Sequence, residues 1–113
     1  LISAKIDGGA QILDANNVHY AAALRACPST IIVTDATQPD NPIIFVNPAF
    51  TELTGYSPDE VVGRNCRFLQ GSKTDPKVVA EIRLALAKGL PIRTEILNYR
   101  KNGTTFWNDL AIN

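Results

Sequence analysis

The chain has 113 residues, enough for one buried core and too few for two, and its 11 basic side chains balance 11 acidic ones. Without a basic run or basic-aromatic interleaving there is no electrostatic footprint for nucleic acid, and apolar runs such as Ile31-Ile32-Val33 are too short for a membrane span or a secretion signal, so the chain reads as cytoplasmic. Cys27 and Cys66, with His19 the sole histidine, are too few and too far apart for a disulfide framework or a zinc site.

Residues 1–28 read as an N-terminal linker and flanking helix, and residues 29–113 as the domain proper. Leu1 to Asp14 has no clear period and is broken at Gly8-Gly9, as expected of a tail or linker from a longer parent. From an N-cap at Asn16 or Asn17, Val18 to Ala26 is alanine-rich and helix-prone, and Pro28 stops it. Its narrow apolar stripe suits a helix lying against the domain or a partner. His19, on this helix with no adjacent acid to orient it, reads as solvated surface, and Cys27 as a buried thiol at the helix end.

Two β-branched runs, Ile31 to Thr34 and Ile43 to Val46, predict the first strands of a sheet. Asn47-Pro48 opens a short helix that Gly55 ends. Ser57-Pro58-Asp59-Glu60 repeats the device as a capping box, and Gly63 closes it. Short helices with forced stops make a wall, and they deliver the chain to Gly63-Arg64-Asn65-Cys66-Arg67-Phe68-Leu69-Gln70-Gly71. There Asn65 can cap a tight turn, placing Cys66 and Arg67 at a helix N-terminus whose free N–H groups favour anions. A free cysteine is commonly a small core hydrophobe, but a core thiol needs no arginines on both sides.

Asp75-Pro76 caps the longest helix, with Val78, Val79, Ile82, Ala85 and Leu86 at helical spacing and Gly89 at its end. Arg83 borders that stripe, either as a solvated charge or as a guanidinium aimed at a pocket mouth, where with Arg67 it would suit a phosphate. Strands over Ile92 to Arg100 and Thr105 to Ile112 flank Lys101-Asn102-Gly103. A loop of these three residues, with Gly103 left-handed, pairs Arg100 with Thr104, joins the two apolar faces and turns Asn98 and Asn108 inward together. Two carboxamides on an apolar face bond each other or the backbone, or else meet a ligand with matching donors and acceptors.

The run from Gly63 to Gly71 resembles, at every position, the signature of LOV (light, oxygen, voltage) domains, the flavin-binding blue-light sensors of the PAS superfamily, and the resemblance extends from about Ile31 to the C-terminus. It implies an α+β fold: a PAS-like antiparallel sheet with short helices on one face enclosing a flavin pocket. It also implies FMN as cofactor. On this resemblance Cys66 is the cysteine that adds reversibly to the flavin after blue light, Asn65 and Gln70 hold the ribityl chain, and Arg67 and Arg83 grip the phosphate. Asn98 and Asn108 match the amides on the pyrimidine edge, and Ile32, Phe50, Leu69 and Leu110 pack the ring. The family's final strand, with a glutamine at flavin N5, has no counterpart before Asn113, so the domain reads as C-terminally incomplete.

The expected partners are a linked effector in a longer parent, such as a histidine kinase, and a second copy through the N-terminal helix and sheet, with no nucleic acid or membrane bound by this domain and no substrate turned over. The alternatives are a flavin-free PAS dimerisation module and a thiol redox sensor in which Cys27 resolves Cys66.

Overall fold

A computed structural model describes residues 2–6 and 18–112, with side chains from residue 22 onward. The Gly8-Gly9 break, the N-cap at Asn16 or Asn17 and the surface reading of the His19 side chain lie outside the described residues. The elements run β1 (Ile2–Ile6), α1 (Val18–Ala26), β2 (Ile31–Asp35), β3 (Ile43–Val46), α2 (Pro48–Thr54), α3 (Pro58–Val61), a 3₁₀ turn η1 (Cys66–Leu69), α4 (Pro76–Lys88), β4 (Ile92–Tyr99) and β5 (Thr105–Ile112).

One sheet carries the strands in the order β3-β2-β1-β5-β4. The hairpins β2-β3 and β4-β5 are antiparallel, as expected. The stretch expected to be a tail departs from that pattern, because its first residues form β1, parallel to both neighbours. β1 pairs from Ile2↔Ile31 to Ile6↔Asp35 with β2, but only at Ile2↔Ala111 and Ser3↔Ile112 with β5. Ile2, Ala4 and Ile6 do alternate with polar Ser3 and Lys5, the period of a strand, although five residues are too short a run to stand out beside a glycine pair.

Local signals place the helices. The Asn47 side chain accepts the Phe50 N–H before Pro48, and Gly55 closes α2 in the left-handed region at φ 82°. The Glu60 carboxylate accepts the Ser57 N–H at 3.0 Å at the start of α3. Asp75 caps α4, which ends at Gly89 with φ 65°.

The core has three parts, and β2 separates two of them. Ile32 joins Ile43, Val46, Phe50, Val61 and Leu69 on the side of α2, α3 and η1, with Cys66 packed against them. Ile31 and Val33 point the other way, to Phe45, Leu24 and Cys27. α1 therefore covers the back of β2, which is why all five residues of this strand are buried. In the third cluster Val78, Val79, Ile82 and Leu86 of α4 pack on Ile96, Leu110 and Ile112. None of the described helices is long and apolar enough to cross a membrane.

Candidate functional site

The site begins with a cap. Asn65 Oδ1 accepts the Arg67 N–H at 2.9 Å, turning the chain into η1 and setting Cys66 as its first residue. Cys66 is half-buried against the α2-side cluster. A helix start and two arginines argue for a thiolate, yet burial pushes the Cys66 thiol above its usual range and outweighs the backbone hydrogen bond and the Arg67 charge that pull it down. The sulfur therefore keeps its proton at neutral pH.

Cys66 lines a cavity of about 190 Å³ between η1, α4 and the sheet, together with Asn65, Arg67, Gln70 and Arg83. Five of the eleven residues singled out in the sequence thus meet around one space. Val79, Ile82, Leu86 and Ile112 supply its apolar wall, and Thr34 and Asn41 its remaining polar edge. None of these six was singled out as a site residue; the helical spacing of the three α4 residues did mark them as an inward face, whereas Thr34 and Asn41 carry no local signal of a pocket.

The cations at this cavity differ. Arg67 places both terminal nitrogens on the two carboxylate oxygens of Asp40, Nη1 at 2.8 Å, and holds that carboxyl below the usual carboxylate range. Arg83 is exposed and makes no hydrogen bond or ion pair among the described residues. Asn65 is also engaged at its other end, donating Nδ2 to the Asp40 carbonyl at 2.7 Å.

The cavity does not reach the other six. Ile32, Phe50 and Leu69 form one buried wall beside Cys66, and Leu110 belongs to the cluster under α4. Asn98 and Asn108 are buried together on the inner face of the hairpin. Their placement follows from the turn: Arg100 N donates to Thr104 O at 2.7 Å and Gly103 is left-handed at φ 88°, which sets Asn98 opposite Phe106 and Asn108 opposite Ile96. Asn108 Nδ2 donates to Asn98 Oδ1 at 2.9 Å, the mutual bond that needs no ligand. That bond does not complete the pair, because Asn108 Oδ1 is buried with no partner, and so is Asn41 Oδ1. Around the cavity itself, Asn41 brings an unmet acceptor, and Cys66, Arg67 and Arg83 bring a thiol and two guanidiniums as donors, a set suited to a hydrogen-bonding, anionic guest.

Cys27 and Cys66 are both free and pack in clusters on opposite faces of β2. A disulfide between them would have to pass through the sheet, which removes the geometric basis for Cys27 as a resolving thiol.

Known proteins with this pattern are informative. The profile of the PAS domain matches residues 28–113. A blue-light-activated histidine kinase of Brucella ovis is 52% identical over 93 residues, covering 82% of this chain and 19% of that protein. The chain thus spans about a fifth of the length of such relatives. Among solved structures, the LOV domain of the Erythrobacter litoralis EL346 blue-light activated histidine kinase superposes with a TM-score of 0.74 at 47% identity, over 75% of this chain and 78% of that one. The light-state LOV domain of the photoreceptor Aureochrome1 gives 0.68 at 52% identity, over 76% and 66%. Sequence, fold and the cysteine turn agree: the chain belongs to the PAS family, within it to the LOV domains.

Proposed function

We propose that this domain is a blue-light sensor that binds FMN and responds through Cys66. The observation that carries the reading is the place of Cys66 on the wall of a cavity that also gathers Asn65, Gln70 and two arginines. Bound FMN would supply the absorption of blue light and a ring carbon open to a thiol.

The chain's own residues supply position. Cys66 offers a sulfur that retains its proton, held on η1 by the Asn65 cap. Arg67 and Arg83 would hold the terminal phosphate, and Asn65 and Gln70 the ribityl hydroxyls. Asn98 and Asn108 would meet the pyrimidine edge, with the unmet Asn108 Oδ1 available as an acceptor. Ile32, Phe50, Leu69 and Leu110 would keep water from the ring, and the protein's main contribution is to fix the sulfur near its target.

No substrate is turned over by this domain. It works as the sensor of a longer cytoplasmic protein whose effector is a histidine kinase. The sheet's outer face, where Trp107 is 71% exposed, and α1 serve as the surfaces toward a second copy or the effector.

The absorption spectrum of the purified protein tests the proposal. Flavin bands should bleach in blue light and recover in darkness, and Cys66→Ala should keep the bands and lose the bleaching. Absence of flavin after reconstitution with FMN, or bleaching retained without the thiol, would defeat it.

A further inference from the structure

Arg67 already has an anion. Asp40 takes the end-on edge of its guanidinium with both carboxylate oxygens, and the Asp40 carbonyl accepts from Asn65, so two residues of the cavity are bound to one loop residue. The loop holds this arrangement at a backbone cost: Asp40 and Asn41 are consecutive non-glycine residues in the left-handed region, at φ 66° and 52°. Both side chains of the pair are well exposed, 60% for Arg67 and 61% for Asp40, so the pair can open without burying a charge. Arg83, at the same cavity, has no such partner among the described residues.

We infer that Asp40 is a specificity-determining residue that competes with the phosphate of a bound flavin for Arg67 and so weakens the preference for FMN over riboflavin. The inference rests on the flavin reading above. A phosphate that engages Arg67 must displace or share the Asp40 carboxylate, and it meets a like charge beside the cation it seeks. The gain from Arg67 is therefore the difference between two anions, whereas the gain from Arg83 is undiminished. A flavin without a phosphate leaves the Arg67–Asp40 pair intact and is indifferent to it.

The test titrates flavin-free protein with FMN and with riboflavin, following quenching of flavin fluorescence, for the native chain, Asp40→Asn, Arg67→Ala and the double variant. Asparagine keeps the size of the side chain and tolerates the left-handed backbone, so the loop is preserved. Asp40→Asn should tighten FMN by about two- to fivefold, the measured worth of an exposed ion pair, and leave riboflavin unchanged. In the Arg67→Ala background the same change should do nothing to the ratio of the two affinities.

Weaker FMN binding by Asp40→Asn would make Asp40 an orienting group for Arg67 and overturn the inference. Equal shifts for both flavins, or a changed ratio that persists without Arg67, would overturn it as well, while leaving flavin binding itself established. If the native chain binds neither flavin, the flavin reading fails and this inference with it.

Discussion

Asn108 donates its amide to Asn98 across the β4-β5 hairpin at 2.9 Å, while its own carbonyl oxygen is buried with nothing to accept. The pair is half satisfied. A buried acceptor without a partner costs about 1–3 kcal/mol, whereas replacing both polar partners by apolar groups of similar size is close to neutral or stabilising. The double change Asn98→Leu with Asn108→Leu is therefore expected to leave the flavin-free domain as stable as before or firmer by about 1 kcal/mol, while on the proposed flavin reading the affinity should drop at least about tenfold. Urea unfolding and flavin titration on the same preparations separate the two effects. Loss of stability without loss of affinity would mean that the amides serve the fold alone.

Asn47 behaves differently, because it is fully buried and fully used. Its Oδ1 accepts from Ile31 N at 2.9 Å and Phe50 N at 3.2 Å, and its Nδ2 reaches the carbonyls of Leu24, Cys27 and Ser29, with 2.7 Å to Ser29 the shortest. One side chain thus ties the end of α1 to β2 and caps α2. Asn47→Ala should lower stability by about 3 kcal/mol, from a lost cap and several orphaned backbone groups together. It should also speed amide exchange over α1 relative to β4 and β5, and uniform exchange along the chain would count against a tie at this place.

Among the described residues, Glu60 is the carboxylate held furthest below its ordinary range. Its hydrogen bond to Lys101, then the Ser57 N–H, hold its pKa down from the usual 4.5 to about 2. Because the folded value lies below the unfolded one, this ion pair favours the fold fully above pH 4.5 and loses that effect as the pH falls toward about 2. Lys101→Ala should return the Glu60 titration, followed by carboxyl NMR shifts, toward the ordinary carboxylate range, and should reduce the acid sensitivity of unfolding within that window. An unmoved titration would assign the shift to the Ser57 N–H.

Gly71 owes its identity to contact, since a Cβ there would collide with the ring of Tyr99. Tyr99 is itself pinned, its hydroxyl accepting the Lys73 N–H at 2.9 Å. Gly71→Ala should cost about 1–3 kcal/mol, the usual range for overpacking. Adding Tyr99→Ala should recover part of that loss, and denaturation midpoints of the single and double variants would show whether it does.

The elements legible in the sequence are those fixed by neighbours in the chain. Asn47-Pro48 and Gly55, Asp75-Pro76 and Gly89, and the Lys101-Asn102-Gly103 loop each state their backbone conformation within a few residues, and the structure follows them. The cysteine turn was legible for the same reason, with Asn65 capping it as its position suggests. Long-range partners were not legible. Nothing near Asp40 in the sequence announces Arg67, which lies 27 residues away. Asn47 reads as a cap, and its three bonds to the α1 region become visible only when the chain is folded. The protonation of Cys66 was ambiguous because helix start, arginines and apolar wall act in opposite directions, and only the extent of burial decides among them.

β2 is a party wall. Ile32 and Thr34 look toward the cavity side while Ile31 and Val33 look toward α1 and Cys27, and adjacent residues of a strand share one rigid peptide unit. A shift of the strand on one side therefore moves its other face too, although the register irregularity between Val33 and Thr34 gives the ladder a place to yield. Helix α1 lies one strand away from the cavity side, and Cys27 packs in the cluster on that far face.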